Sequence, residues 1–247
     1  MSSNWPDGVA RVVLPSVGST NIEAAARAPG PVWVLGLEQT AGRGRRARAW
    51  ASPKGNFHAS LVMTPAGGPA QVALRSFVAS LALLDALVAV TGLPQAFALK
   101  WPNDVLCNGG KIAGILLESS SAGTGVAHLV VGVGVNLIAA PDMAMIEAGA
   151  VPPVTLLTET GLRVEPEAFL NALAPAFAAR EAQLSGQGFA SIRTDWLAHA
   201  ANLGQPIRAR TGTATHHGTY ETVDETGALI LTTAQGRLAI PAADVFF

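Results

Sequence analysis

The chain has one cysteine, Cys107, among 247 residues, so no disulfide can close within it. Lysine is almost as scarce, with three (Lys54, Lys100 and Lys111) against thirteen arginines. Charged residues make up only 13%, and the formal net charge is −1. That balance argues against a polybasic nucleic-acid binder. No apolar run reaches the roughly 18–20 residues of a spanning helix, since residues 77–90 contain Asp85 and residues 129–138 end too soon. The N-terminal MSSNWPDGVARV has no apolar segment of the kind a secretory signal needs. These absences lead to the expectation of a cytoplasmic globular protein with neither DNA nor membrane as partner.

What is present is a hydrophobic fraction of 49%, too high for disorder. The length suits one large domain with a small appendage, and a chain this long buries about 70–75% of its unfolded surface. Residues 9–14, 32–37 and 57–63 read as strands, and residues 38–55 as a loop long enough to suggest function. Thr20 and Glu23 have capping-box spacing before an Ala-rich helix. One long buried helix is expected over 68–91, then strands over 96–101, 105–107, 112–117 and 129–137 with a hairpin turn at CNGGK. Helices follow over 165–187 and 190–201, and short strands fill the chain from Gln205 onward. Strands mixed with a few helices, without regular βα alternation, predict an α+β fold. The expected domains are 1–203 and 204–247.

Three segments carry chemistry. In GRGRRARAW, four arginines fall within residues 43–48. Arginine forks suit carboxylate and phosphate, and four of them repel one another until an anion arrives. Lys100-Trp101-Pro102-Asn103-Asp104 is followed by Lys111, in a chain that otherwise uses arginine almost everywhere. Asp104 either orients a lysine or holds a Mg²⁺ ion; the alternative is an ordinary hairpin with a surface ion pair. In LVVGVGVNL, strand alternation sends Val131, Val133, Val135 and Leu137 to one face and Val130, Gly132, Gly134 and Asn136 to the other. Glycines inside a strand mark the close approach of a ligand or of another backbone. Cys107 reads as an apolar filler and Asp85 as a partnered acid.

Taken together, these segments resemble the biotin protein ligase family, in its form without an N-terminal DNA-binding domain. The resemblance runs along nearly the whole chain, through Ser19-Thr20-Asn21, Glu38-Gln39, GRGRR, KWPND, Lys111-Ile112-Ala113-Gly114 and Gly132-Val133-Gly134-Val135-Asn136. It implies a mixed sheet flanked by helices, of the class II synthetase-like biotin–lipoate ligase kind, with a small C-terminal SH3-like β-barrel. It implies ATP and Mg²⁺ as cofactors and biotin as substrate. Biotinyl-5′-AMP would form first, and a lysine of a biotin carboxyl carrier domain would then accept the biotin. A homodimer is compatible with it.

By the same resemblance, Lys111, Arg45 and Asp104 are catalytic. Ser19, Thr20, Asn21 and Gln39 hydrogen-bond the ureido ring, and Arg43, Gly44, Arg45, Trp50, Gly114, Gly132 and Gly134 complete the biotin site with Lys111. Arg43, Arg45, Arg46, Asn103, Asp104, Lys111 and Asn136 serve ATP, with Asp104 as the metal residue. The chain departs from the family at Ala47, where a glycine is usual. It also has no aromatic residue between Leu137 and Ala168, which leaves adenine to Met143, Met145 or Ile146. A lipoate-type ligase of the same fold is the nearest alternative. A nucleic-acid-binding regulatory module using the arginine run is the alternative from another class.

Overall fold

The computed structural model describes residues 5–123 and 125–247. Seven strands form the main sheet: β1 (Ala10–Leu14), β2 (Val32–Gly36), β3 (Phe57–Met63), β4 (Phe97–Lys100), β5 (Asp104–Cys107), β6 (Gly110–Ala122) and β7 (Gly125–Val135). Their order is β1-β2-β3-β7-β6-β5-β4, parallel only between β1 and β2. The small C-terminal SH3-like barrel is a five-stranded antiparallel sheet. Its strands are β8 (Pro206–Arg210), β9 (Thr215–Val223), β10 (Leu229–Thr233), β11 (Gly236–Ile240) and β12 (Asp244–Phe246). The fold is the expected α+β arrangement.

Helices α3 (Arg75–Thr91) and α5 (Pro166–Ala198), the latter preceded by the short α4 (Leu156–Thr160), pack together on one face of the sheet. Val131, Val133 and Val135 of β7 enter the core there with Leu81, Leu83 and Leu87. The opposite face carries the short α1 (Thr20–Ala25), whose Ala24 clusters with Val34, Val62 and Val130. Two-face alternation along β7 therefore separates an apolar core from a glycine-bearing surface.

The helix expected over 68–91 is two, α2 (Pro69–Ala73) and α3, broken at Leu74. The combined Pro69–Thr91 segment is long and apolar enough to cross a membrane, but most of it is buried inside the fold. The capping box at Thr20 does not form. Ser19, and not Thr20, is the N-cap and makes no side-chain cap bond, while the Thr20 hydroxyl donates to Gln39 Oε1. The last long helix runs through 187–190 with a break at Gly188. Cys107 is fully buried, with its thiol pushed up to about 11, chiefly by burial and then by Glu159. Asp85 is paired with Arg180 at 2.7 Å.

Candidate active site

Directly opposed residues of an antiparallel pair share a face. The registers therefore line up one row across five strands: His58 on β3, Gly134 on β7, Gly114 on β6, Asp104 on β5 and Lys100 on β4. The next row holds Ser60, Gly132 and Leu116. The site is a shallow trough with a glycine floor, polar at one end and charged at the other.

The polar end is one connected network. Thr20 donates from its backbone N–H at 2.8 Å and its hydroxyl at 3.0 Å to Gln39 Oε1. Gln39 Nε2 donates to Ser52 Oγ at 2.9 Å. Ser60 Oγ lies 2.8 Å from Thr20 Oγ1 and 2.6 Å from Asn21 Oδ1. Asn21 Nδ2 donates to Glu118, which pairs with Arg43 at 3.6 Å. Ser19, Thr20 and Asn21 are all buried. A Cβ on Gly132 would stand 2.2 Å from Asn21 Oδ1, so only glycine lets Asn21 reach the floor.

Trp50 roofs the middle. A Cβ on Gly134 would meet its Nε1 at 2.5 Å, and one on Gly114 would meet its ring at 3.3 Å. The two glycines are thus a bed for a flat group.

At the charged end, a bulge between Val105 and Leu106 shifts the β5–β6 register. Strict alternation from Gly114 would put Lys111 on the core face. The bulge sends Ile112 into the core instead and brings Lys111 to the trough. Lys111 Nζ is 2.7 Å from Asp104 Oδ1 and 5.5 Å from the centre of the Trp50 ring. Lys100 Nζ is 3.8 Å from Asp104 Oδ2, and burial holds its ammonium below the usual lysine range against the pull of Asp104. Arg45 donates to Asn103 Oδ1 at 3.2 Å, and Asn103 Nδ2 donates to the Ile115 carbonyl at 2.6 Å. Burial lowers the Arg45 pKa, with Asp244 and Asp104 opposing it.

The arginine segment is a small hairpin. Trp50 N–H bonds the Gly42 carbonyl, and Gly44 N–H bonds the Arg48 carbonyl. Arg46 sits near its tip in left-handed backbone (φ 55°, ψ 34°). Three of the four guanidinium groups already meet a carboxylate of the chain, Arg43 at Glu118 and Arg46 and Arg48 at Asp244. Arg46 was expected at the nucleotide, but it pairs with Asp244 of β12 at 2.6 Å, and Arg48 joins the same oxygen at 2.8 Å.

Asp104 offers a single carboxylate, so any Mg²⁺ there would come with the nucleotide phosphates and not sit in an all-protein cage. Both oxygens of that carboxylate face lysine ammonium groups, and no cluster of three His, Cys, Asp or Glu groups that could hold a metal occurs among the described residues. Asn136 is buried at the end of β7, where its backbone N–H bonds the Ile112 carbonyl. For adenine, Met143 is exposed and Ile146 half-buried, while the Met145 side chain lies outside the described residues.

Sequence reasoning missed Ser52, Ser60, Glu118, Asp244 and His58. Ser60 and His58 had a signal, since polar residues two apart in an apolar strand mark its polar face. His58 is 1% exposed, and neither ring nitrogen has a partner among the described residues. Burial lowers its pKa to about 4, and the nearby Gly36 carbonyl opposes this only weakly. Between pH 4 and about 6.5 the unfolded chain therefore holds a proton that the folded chain does not. Stability must fall on acidification through that window. Between pH 7 and 4.5 the expected loss from this group is about 2 kcal/mol. Urea unfolding at the two pH values should show the loss shrinking by that amount in His58→Gln; an unchanged loss would assign it elsewhere.

The chain matches the Biotin/lipoate A/B protein ligase family over residues 19–136 and the Biotin protein ligase C terminal domain over residues 203–247. It is 57% identical over 238 residues to a biotin–[acetyl-CoA-carboxylase] ligase of Paracoccus denitrificans, spanning 95% of this chain and 99% of that one. It is 32% identical to a bifunctional ligase/repressor of Bacillus subtilis, covering 94% of this chain and 71% of the relative. In fold it is similar to a biotin protein ligase from Aquifex aeolicus solved with biotin and ATP, at a TM-score of 0.80 and 24% identity, covering 96% and 97% of the two chains.

Proposed function

The chain belongs to the biotin protein ligases, and from that premise we propose how its trough joins biotin to ATP and then to a carrier lysine. The observation that carries the reading is the trough itself: amide and hydroxyl groups at one end, a tryptophan-roofed glycine floor in the middle, and paired lysines at the other. A ureido group has donors and acceptors for the network of Thr20, Asn21 and Gln39 and for the buried Ser19 beside it. A short alkyl chain suits the flat apolar face of Trp50, whose ring rests on Gly114 and Gly134, with Gly132 beside them. A carboxylate at its end arrives at Lys111.

In the first step a biotin carboxylate oxygen attacks the α-phosphorus of ATP. The acyl–phosphate bond forms, the bond from the α-phosphorus to the bridging oxygen breaks, and pyrophosphate leaves. Two anions must meet, so positioned cations do most of the work. Asp104 aims Lys111, Arg45 reaches Asn103, and these with Arg43, Gly44 and Asn136 would serve the nucleotide, Arg43 from the Glu118 end. In the second step the acceptor amine attacks the acyl carbon, AMP leaves and an amide forms. The acceptor is a biotin carboxyl carrier domain, and the compartment is the cytoplasm.

Pyrophosphate release from ATP tests the reading. It should require biotin and be absent with lipoate or with neither acid. Equal or better turnover with lipoate would move the chain to the sister activity.

The mixed anhydride is reactive, and a closed loop limits its escape. Arg45→Gly should keep part of the adenylation but release the adenylate, which then biotinylates bystander lysines. Mixed with biotin, ATP and albumin, the variant should label albumin at least about tenfold faster than the wild type, the order of one positioned contact. Labelling no faster would remove Arg45 from retention.

A further inference from the structure

Three arginines of the active-site hairpin converge on two adjacent residues of the barrel. Asp244 Oδ2 accepts from Arg46 at 2.6 Å and from Arg48 at 2.8 Å. Both terminal nitrogens of Arg45 lie 3.5 Å from the Ala243 carbonyl oxygen. Asp244 is rigidly placed, because it opens β12 and pairs in register with Arg210 of β8, which also donates to it at 3.1 Å. Arg210 is braced in turn by Glu147. Burial alone would raise the Asp244 pKa, but hydrogen bonds from Arg210 and Arg48 and the nearby arginine charges more than offset it, so the carboxyl stays below its ordinary range.

A single exposed ion pair contributes little. Here one mostly buried carboxylate serves three guanidinium groups, and a network of charges is worth more than isolated pairs. The contacts also act on a strained segment, since Arg46 holds a left-handed conformation that a side chain disfavours by roughly 1–2 kcal/mol. With Arg46 and Arg48 tied to the barrel, Arg45 just before them lies between the Ala243 carbonyl and Asn103 and donates to Asn103 Oδ1.

We propose that Asp244 is a positioning residue for adenylation: the barrel's carboxylate anchors the hairpin through Arg46 and Arg48 so that Arg45 meets the nucleotide. The anchor deepens the biotin–ATP reading and rests on it for its kinetic arm only. Asp244→Asn keeps the shape and removes the charge. It should raise the ATP KM about tenfold with kcat changed less than about threefold, and Asp244→Glu should restore most of the loss. In a double-mutant cycle, Asp244→Asn should have almost no further effect on KM in an Arg46→Gln/Arg48→Gln background. Tryptic cleavage after residues 43–48, measured without ligands, should accelerate about tenfold in Asp244→Asn, an arm that holds whatever the substrate is. Should that variant fail to fold, Arg46→Gln/Arg48→Gln carries the test through faster cleavage after Arg43 and Arg45. Unchanged cleavage, or additive effects in the cycle, would overturn the anchor. Faster cleavage in a protein that releases no pyrophosphate with biotin would keep the anchor and sink the biotin reading.

Discussion

Lys111→Ala should lose pyrophosphate release by about 10²–10³-fold while remaining folded. Lys111 is the lysine that Asp104 holds at 2.7 Å, and it is more exposed to the trough than Lys100, which is buried. Its ammonium is the cation best placed where a carboxylate and an α-phosphate would meet. Truncating a half-exposed side chain on β6 opens no core cavity, so the melting temperature should hold. The loss should fall on kcat of the first step, because the charge matters most when two anions are forced together. Single-turnover pyrophosphate release with biotin and ATP is the measurement. A folded variant within about threefold of the wild type would remove Lys111 from the chemistry.

Gly134→Val should abolish useful biotin binding without unfolding the sheet. Gly134 lies mid-strand in β7, and a β-branched residue suits extended backbone. The new Cβ would stand 2.5 Å from Trp50 Nε1 and 2.7 Å from Trp50 Cε2, so the indole must leave the trough. Filling a packed slot costs about 1–3 kcal/mol, and the displaced roof adds to that. The biotin dissociation constant should therefore rise by at least about 10²-fold, a change that calorimetry resolves. Wild-type affinity in the variant would mean that the glycine floor serves packing alone.

Where pattern and period decide, the sequence was a good guide. Alternation in LVVGVGVNL separated the core valines from the glycine floor, and both faces are as read. The Asn108-Gly109 turn between β5 and β6 has the positive φ that the Asn-Gly pair suggested. Local signals misled where tertiary contacts compete. Thr20 and Glu23 have capping spacing, but the Thr20 hydroxyl is taken by Gln39 and Ser60, neither of them near it in sequence. The apolar run over 68–91 gives no hint of the break at Leu74, because both helices bury apolar residues. Arg46 pairs with an aspartate 198 residues away, which no spacing rule can find. His58 could be seen as polar in an apolar strand, but its alignment with Gly134, Gly114 and Asp104 depends on the registers of three strand pairs. Lys111 reaches the trough only through a one-residue bulge that alternation would have placed the other way.

The central claim is that one trough activates biotin and hands it to a protein amine. The most direct test incubates the protein with ATP, its magnesium salt, biotin and a biotin carboxyl carrier domain, and reads the carrier by intact mass and peptide mapping. A single biotinyl amide on one carrier lysine, formed only when biotin and ATP are both present and lost in Lys111→Ala, is the predicted result. A carrier left unmodified by a protein that consumes ATP, or one modified by lipoate in place of biotin, would contradict it.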